Sequence, residues 1–179
     1  MQEYGESQVA LPMVAMTDGA KAIRARLLAI FGVAITLILD WYHLEKKTKE
    51  LMSMIAKNKQ EKARHLAFIF DHVWRGNTPE VLHYLNTEVK AKHPGKLREL
   101  MGYLEKHQGE IIDDERRQKA GKTIGSGRME KGVDQVIGFR QKKKGMSWRP
   151  KGSKALGILK IVELNQQWTK LWFPERIAA

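Results

Sequence analysis

The sequence predicts an α/β protein that is mostly helical: a strand–helix–strand opening, a long helical middle, and a basic set of carboxyl-terminal helices. Three observations predict it. Two short apolar runs near the start, Leu11–Met16 and Val33–Leu39, flank an amphipathic stretch. After Asp40 the hydrophobic period is helical for about seventy residues. Finally, the charge is concentrated late in the chain. Of the 32 Lys and Arg and 20 Asp and Glu, 14 basic and 3 acidic residues fall between Glu115 and Lys160, whereas residues 1–114 are nearly neutral.

Leu11–Met16 (LPMVAM) reads as a short strand, punctuated by Thr17, Asp18 and Gly19. Ala20–Phe31 carries Ile23, Leu27, Ile30 and Phe31 at i, i+4, i+7 and i+8, a helical stripe stopped by Gly32. Val33–Leu39 is wholly apolar apart from Thr36, as expected of a strand covered on both faces. Two such strands joined by a helix form a right-handed parallel unit. Helices follow at Leu44–Ala56, at Glu61–Trp74 and after Thr78-Pro79-Glu80, where a cap, a proline and an acid suit a helix start. His93-Pro94-Gly95 breaks that helix, and Leu97, Leu100, Met101 and Leu104 form the next stripe. No fixed period recurs, so this is not a repeat array. Gly121–Gly127 is a loop, Arg128–Gln141 a helix, and Ser153 a cap for a last helix bearing Ile158, Val162, Asn165, Trp168 and Trp172. The expected divisions are residues 1–43, 44–115 and 116–179.

Composition narrows the function. The absence of Cys excludes disulfides, a Cys-based zinc site and a thiol nucleophile. The longest uncharged apolar run, Leu27–Leu39, is 13 residues and too short to span a bilayer. The polar, acidic start is unlike a secretory signal, which leads to an expected cytoplasmic location and no membrane partner. A net charge of +12 points to a polyanion, most often nucleic acid.

Asp18 and Asp40 each end a strand, and in a parallel pair with level ends they converge on one edge, where open α/β sheets keep their functional crevice. Each also suits a helix cap. Two close carboxylates repel, and a divalent cation relieves this. His43 lies three residues beyond Asp40 and on its own reads as a helix-start histidine. Glu130 sits beside the Val133 and Ile137 stripe, with Asp134 one turn on competing for the same role. Arg128, Lys131, Arg140, Lys142, Lys143, Lys144 and Arg149 surround these acids with positive charge, and Trp148 stands among them as a candidate for stacking on a base. Acids that hold cations, inside a basic field that neutralises phosphates, are what metal-dependent phosphodiester chemistry requires. Gly121–Gly127 (GKTIGSG) has the wrong order for a nucleotide phosphate loop and follows no strand.

Thr17–Ile23 (TDGAKAI), Ile38–His43 (ILDWYH) and Ile124–Glu130 (IGSGRME), in this order, resemble the motifs of DDE-type insertion-sequence transposases, in particular the Kra-type group allied to the Mutator-like branch. Gly145-Met146-Ser147-Trp148 and Leu164-Asn165 resemble the ending of the same group, so the resemblance spans about Met16 to Trp172. It implies a ribonuclease-H-like core in which three carboxylates hold magnesium or manganese for DNA strand cleavage and transfer. It also implies that Asp18 is the second catalytic Asp, that Asp40 and His43 form an element close to the active site, and that Glu130 is the final Glu, with Asp18 and Glu130 as metal ligands. Residues 44–115 are then the insertion that precedes this Glu. DNA ends and target DNA become the expected partners, with homo-oligomeric action. The family's first Asp and leading strands have no counterpart here. The expected state is therefore a truncated, catalytically inactive carboxyl-terminal fragment that retains only two strands of the core and still binds DNA. The alternatives are a non-enzymatic helical DNA-binding regulator and an RNA-binding protein.

Overall fold

The computed structural model describes residues 13–173. The chain is mostly helical, with one two-stranded parallel sheet. It divides into two compact units, residues 1–126 and 127–179.

In the first unit, β1 (Met13–Thr17) pairs in parallel with β2 (Ile35–Leu39), in register from Met13 opposite Ile35 to Thr17 opposite Leu39. Helix α1 (Lys21–Phe31) joins them, followed by a 3-10 turn over 32–34 that takes up the start of the expected strand. Leu11 lies outside the described residues. No residue of α1 is buried, because a two-stranded sheet is too narrow to cover three helical turns. Only the end of β2 is enclosed: Ile38 and Leu39 are buried, whereas Thr36 is exposed. The expectation of a strand covered on both faces holds for that end alone.

The helices α2 (Trp41–Ile55), α3 (Lys59–Trp74), α4 (Thr78–Thr87) and α5 (Pro94–His107) then pack around the main core. Helix α2 begins three residues before Leu44, because Asp40 caps it by accepting from the His43 amide. Asn58 caps α3 through the Glu61 amide, and Pro79 and Pro94 stand in the first turns of α4 and α5, where a missing amide N–H costs nothing. Met52, Ile55, Ile69, Val81, Leu85, Leu100 and Leu104 are fully enclosed. Trp41 stands edge-on to Trp74, with ring centroids 4.6 Å apart, and ties α2 to α3. Short helix α6 (Asp114–Lys119) follows, capped by Asp113.

The second unit holds α7 (Gly127–Val133), a π turn (Asp134–Gly138), a short turn α8 (Phe139–Gln141), α9 (Pro150–Leu164) and α10 (Trp168–Trp172). The helix expected over Arg128–Gln141 is thus interrupted by a π turn. Ser153 is not a cap: α9 starts at Pro150, and Ser153 instead donates to the Gln141 side chain while its carbonyl accepts from it. Gln166, at φ 56°, ends α9 and separates Trp168 and Trp172 into α10. No helix among the described residues is long and apolar enough to cross a membrane.

Candidate functional site at the strand ends

The parallel register makes β1 and β2 end level, and the Asp40 amide donates to the Thr17 carbonyl at 2.8 Å. Asp18 and Asp40, each the first residue past its strand, therefore stand side by side at the carboxyl edge of the sheet. Their surroundings differ. Asp18 is exposed, and its Oδ1 accepts from the Ala20 amide at 2.9 Å. Asp40 is buried, 1 % exposed. Its Oδ1 accepts from the His43 amide at 3.0 Å and its Oδ2 from the Ser126 amide. Burial by itself would raise the Asp40 pKa, but the hydrogen bonds from Ser126 and His43 outweigh it and hold the carboxyl below its ordinary value. Asp40 is thus a carboxylate committed to backbone amides on both oxygens. The His43 ring is half-buried, its Nδ1 3.4 Å from Asp40 Oδ1 and without a hydrogen bond among the described residues.

The amide that binds Asp40 brings a distant segment to the strand ends. The Trp41 amide donates to the Ile124 carbonyl at 3.2 Å, and Arg117 Nε to the Thr123 carbonyl at 2.6 Å. Gly125 packs closely there: a Cβ would stand 2.5 Å from the exposed Tyr42 ring, which would have to turn aside. The Gly-Ser-Gly loop is thereby fastened across the start of α2. On the other side, the Leu39 amide donates to the Glu110 carbonyl at 2.9 Å, so the free edge of β2 is partnered by the segment after α5.

Helix α5 supplies two groups that sequence reasoning missed. A Cβ on Gly19 would lie 2.7 Å from His107 Cε1, so only glycine lets the Asp18 turn settle on that imidazole. His107 is buried, with Nδ1 2.7 Å from Glu110 Oε2, and Glu110 also pairs with Arg24 of α1. Burial, with the positive charges of Lys106 and Arg24, lowers the His107 pKa, so the neutral ring donates to Glu110. The hydroxyl of Tyr103, one turn earlier, is pushed up to about 12 by burial and by the charges of Asp18 and Asp40, which places it in the field of both acids. The one available signal was that His107 and Tyr103 border the Leu97–Leu104 stripe.

Asp114 is the second surprise. It is 2 % exposed, and its Oδ1 has no hydrogen-bond partner among the described residues. Burial pushes its pKa up to about 6; Arg117 opposes the shift, and the charges of Asp113 and Asp40 add to it. Nothing in the sequence Asp113-Asp114-Glu115-Arg116-Arg117 distinguishes this acid from its solvated neighbours.

Glu130 lies in the first turn of α7 and is exposed. Asp134 lies against its own π turn: a Cβ on Gly138 would be 2.5 Å from Asp134 Oδ1, which leaves Glu130 the freer of the two carboxylates. Arg128, Lys131, Arg140, Lys142, Lys143, Lys144, Trp148 and Arg149 are all exposed and all belong to the second unit. Among the described residues no three acidic or histidine side chains are grouped closely enough to hold a metal ion. The exposed Asp18 carboxylate offers the hard oxygen that Mg2+ takes, whereas Asp40, with both oxygens bound by amides, fits a positioning role better than a ligand role. A scan of protein-family models, a search of curated proteins and a search of solved structures each give no match to this chain.

Proposed function

We propose that the chain carries the later motifs of a DDE-type transposase with a ribonuclease-H-like core, and that it binds DNA through the basic residues of its last third. The observation that carries this reading is the level ending of β1 and β2, which sets Asp18 beside Asp40 at the carboxyl edge of a parallel pair. The docking of Ile124–Ser126 on Asp40 and Trp41 supports it, because the motif that leads to Glu130 then starts at that edge. Magnesium or manganese, when bound, would polarise a phosphodiester and activate the attacking oxygen. Asp18, exposed at the strand ends, would offer it a carboxylate oxygen, and Glu130, exposed on α7, is the later acid of the motif. Asp40 would fix the Gly-Ser-Gly loop, and His43 would stand beside Asp40 with its ring free to meet a phosphate or proton. Arg128, Lys131, Arg140, Lys142–Lys144 and Arg149 would neutralise the DNA backbone.

Fluorescence anisotropy with a duplex over a range of salt tests the reading. We expect binding that weakens steeply with salt, and a slope that drops by up to about 3 when Lys142, Lys143 and Lys144 are changed to Gln. Salt-independent binding, or none, would sink it. The 179-residue chain alone is expected to leave the duplex uncut. Nicking in Mg2+ or Mn2+ that disappears in Glu130→Gln would show instead that it is active by itself.

A non-enzymatic DNA-binding regulator is the second reading. It is favoured by the cap that Asp40 provides for α2 and by the local turn in which Asp18 accepts from the Ala20 amide, both structural uses of these acids. Mn2+ titration followed by electron paramagnetic resonance separates the two. Loss of bound Mn2+ in Asp18→Asn supports the transposase, and no Mn2+ binding by the wild type supports the regulator.

A further inference from the structure

The second unit contains a groove of about 720 Å³ between the π turn, α8 and the later half of α9, a volume suited to a small planar group. Two aromatic rings stand in its lining, Phe139 and Trp168, 67 % and 46 % exposed. Three cations line it as well. Lys160 is paired with Glu163 at 2.9 Å, whereas Arg140 and Lys143 have no acidic partner among the described residues.

Both walls of the groove depart from regular helix. The π turn Asp134–Gly138 leads directly into Phe139. Gln166, the one non-glycine residue at positive φ among the described residues, redirects the chain two positions before Trp168. A π turn and a left-handed non-glycine residue each cost free energy, and such features gather at functional sites. Here they present two rings to the same groove.

The combination selects the occupant. The centre of a protein-docking face is depleted of charged side chains, whereas here unpaired cations stand among the rings. An aromatic face flanked by cations suits a nucleobase with its phosphates, and the unit carries 12 Lys or Arg against 4 Asp or Glu. Bases inside a duplex are stacked and cannot enter. We propose that this groove holds an unpaired nucleobase of single-stranded DNA, stacked on Phe139 or Trp168, with its flanking phosphates on Arg140 and Lys143. The proposal rests on the DNA-binding reading above and adds a site specific to unpaired bases.

The test uses the full chain and a single-stranded DNA oligonucleotide carrying one 2-aminopurine, whose fluorescence is quenched by stacking. The expected result is quenching on binding, retained in Trp168→Phe. In Phe139→Ser or Trp168→Ala it falls by at least about half, and single-strand binding weakens by roughly 5- to 150-fold, the range for one stacked base. Duplex binding should change less than about twofold, because that affinity comes from phosphate contacts. Arg140→Gln with Lys143→Gln, both at exposed positions, provides a variant that spares the rings; it should weaken single-strand binding while the quenching at saturation persists. Duplex binding with no quenching in the wild type, or quenching unchanged in both ring variants, overturns the groove and leaves the DNA reading standing. Failure to bind either form removes both. Tighter binding of the same sequence as RNA overturns the assignment to DNA. A change of oligomeric mass in the ring variants without a change in quenching makes the groove a protein interface and also overturns the proposal.

Discussion

The two units bury very different things. Among the described residues of the first unit, fifteen apolar side chains are buried, from Ile38 to Ile111, many at 0 % exposure. In residues 127–173 no large apolar side chain is buried, and Met129, Phe139, Ile158, Ile161, Leu164, Trp168, Leu171 and Trp172 all stand exposed. The charge is divided just as unevenly. Residues 1–126 carry 20 Lys or Arg and 16 Asp or Glu, against 12 and 4 in residues 127–179. Burial of apolar surface is the main force that stabilises a fold, so the first unit is a scaffold that holds itself together. The second keeps its large apolar and its basic side chains at its surface, which is where the proposed DNA contact places them. Within the first unit the contrast recurs on a smaller scale: α2–α5 are enclosed, whereas α1 buries nothing.

The strongest challenge to this contrast is a pair of truncations. Leu85→Ala or Leu104→Ala, each at a fully enclosed position, should lower stability by about 2–5 kcal/mol in chemical denaturation. Ile161→Ala, at a position 46 % exposed, should change it by less than about 0.5 kcal/mol. Equal losses would erase the distinction.

Next in size is Asp114. Its folded pKa of about 6 exceeds the ordinary 3.8, so between these values the folded chain binds more protons than the unfolded one. Stability should therefore fall as pH rises from about 4 to 6 and stay lowered above that. Asp114→Asn should recover roughly 1–3 kcal/mol at pH 7.5 and nothing near pH 4, measured by denaturant titration at both.

Asp40 has the opposite sign. Its folded pKa lies below the ordinary value, so its contribution is full above that value and is lost as pH falls through the folded pKa. Asp40→Ala should cost about 1–3 kcal/mol, since it removes a cap and leaves the Ser126 amide unpaired. Hydrogen exchange at Ile124–Ser126 should accelerate, and unchanged protection there would show that the loop is held by something other than Asp40.

The smallest effect sharpens the difference at the strand ends. Asp18→Asn, at an exposed position with one local bond, should alter stability by no more than about 0.5 kcal/mol. A loss as large as that of Asp40→Ala would mean that the two acids share one structural role.

Much of the scaffold was legible in the sequence. The strand–helix–strand opening follows from two apolar runs around an amphipathic one, and the stripes ending at Leu104 mark α3–α5 to within a few residues. Asp40 was legible as a strand-end acid and a cap, but its bond to Ser126 was not, because 86 residues separate the two. The π turn at Asp134–Gly138 escaped because its apolar positions continue a helical stripe, and the extra residue of the turn leaves no mark in composition.

By itself the sequence determined the local elements, the parallel pairing of two short strands and the concentration of positive charge after Glu115, since each rests on side chains near one another along the chain. Only the tertiary structure decided which acids differ. It laid the segment after α5 along the edge of β2, set His107 under Gly19, and enclosed Asp114 while leaving Asp113 in solvent. The physical reason is that burial and hydrogen bonding set the character of a carboxylate, and both are fixed by chain segments that meet only on folding.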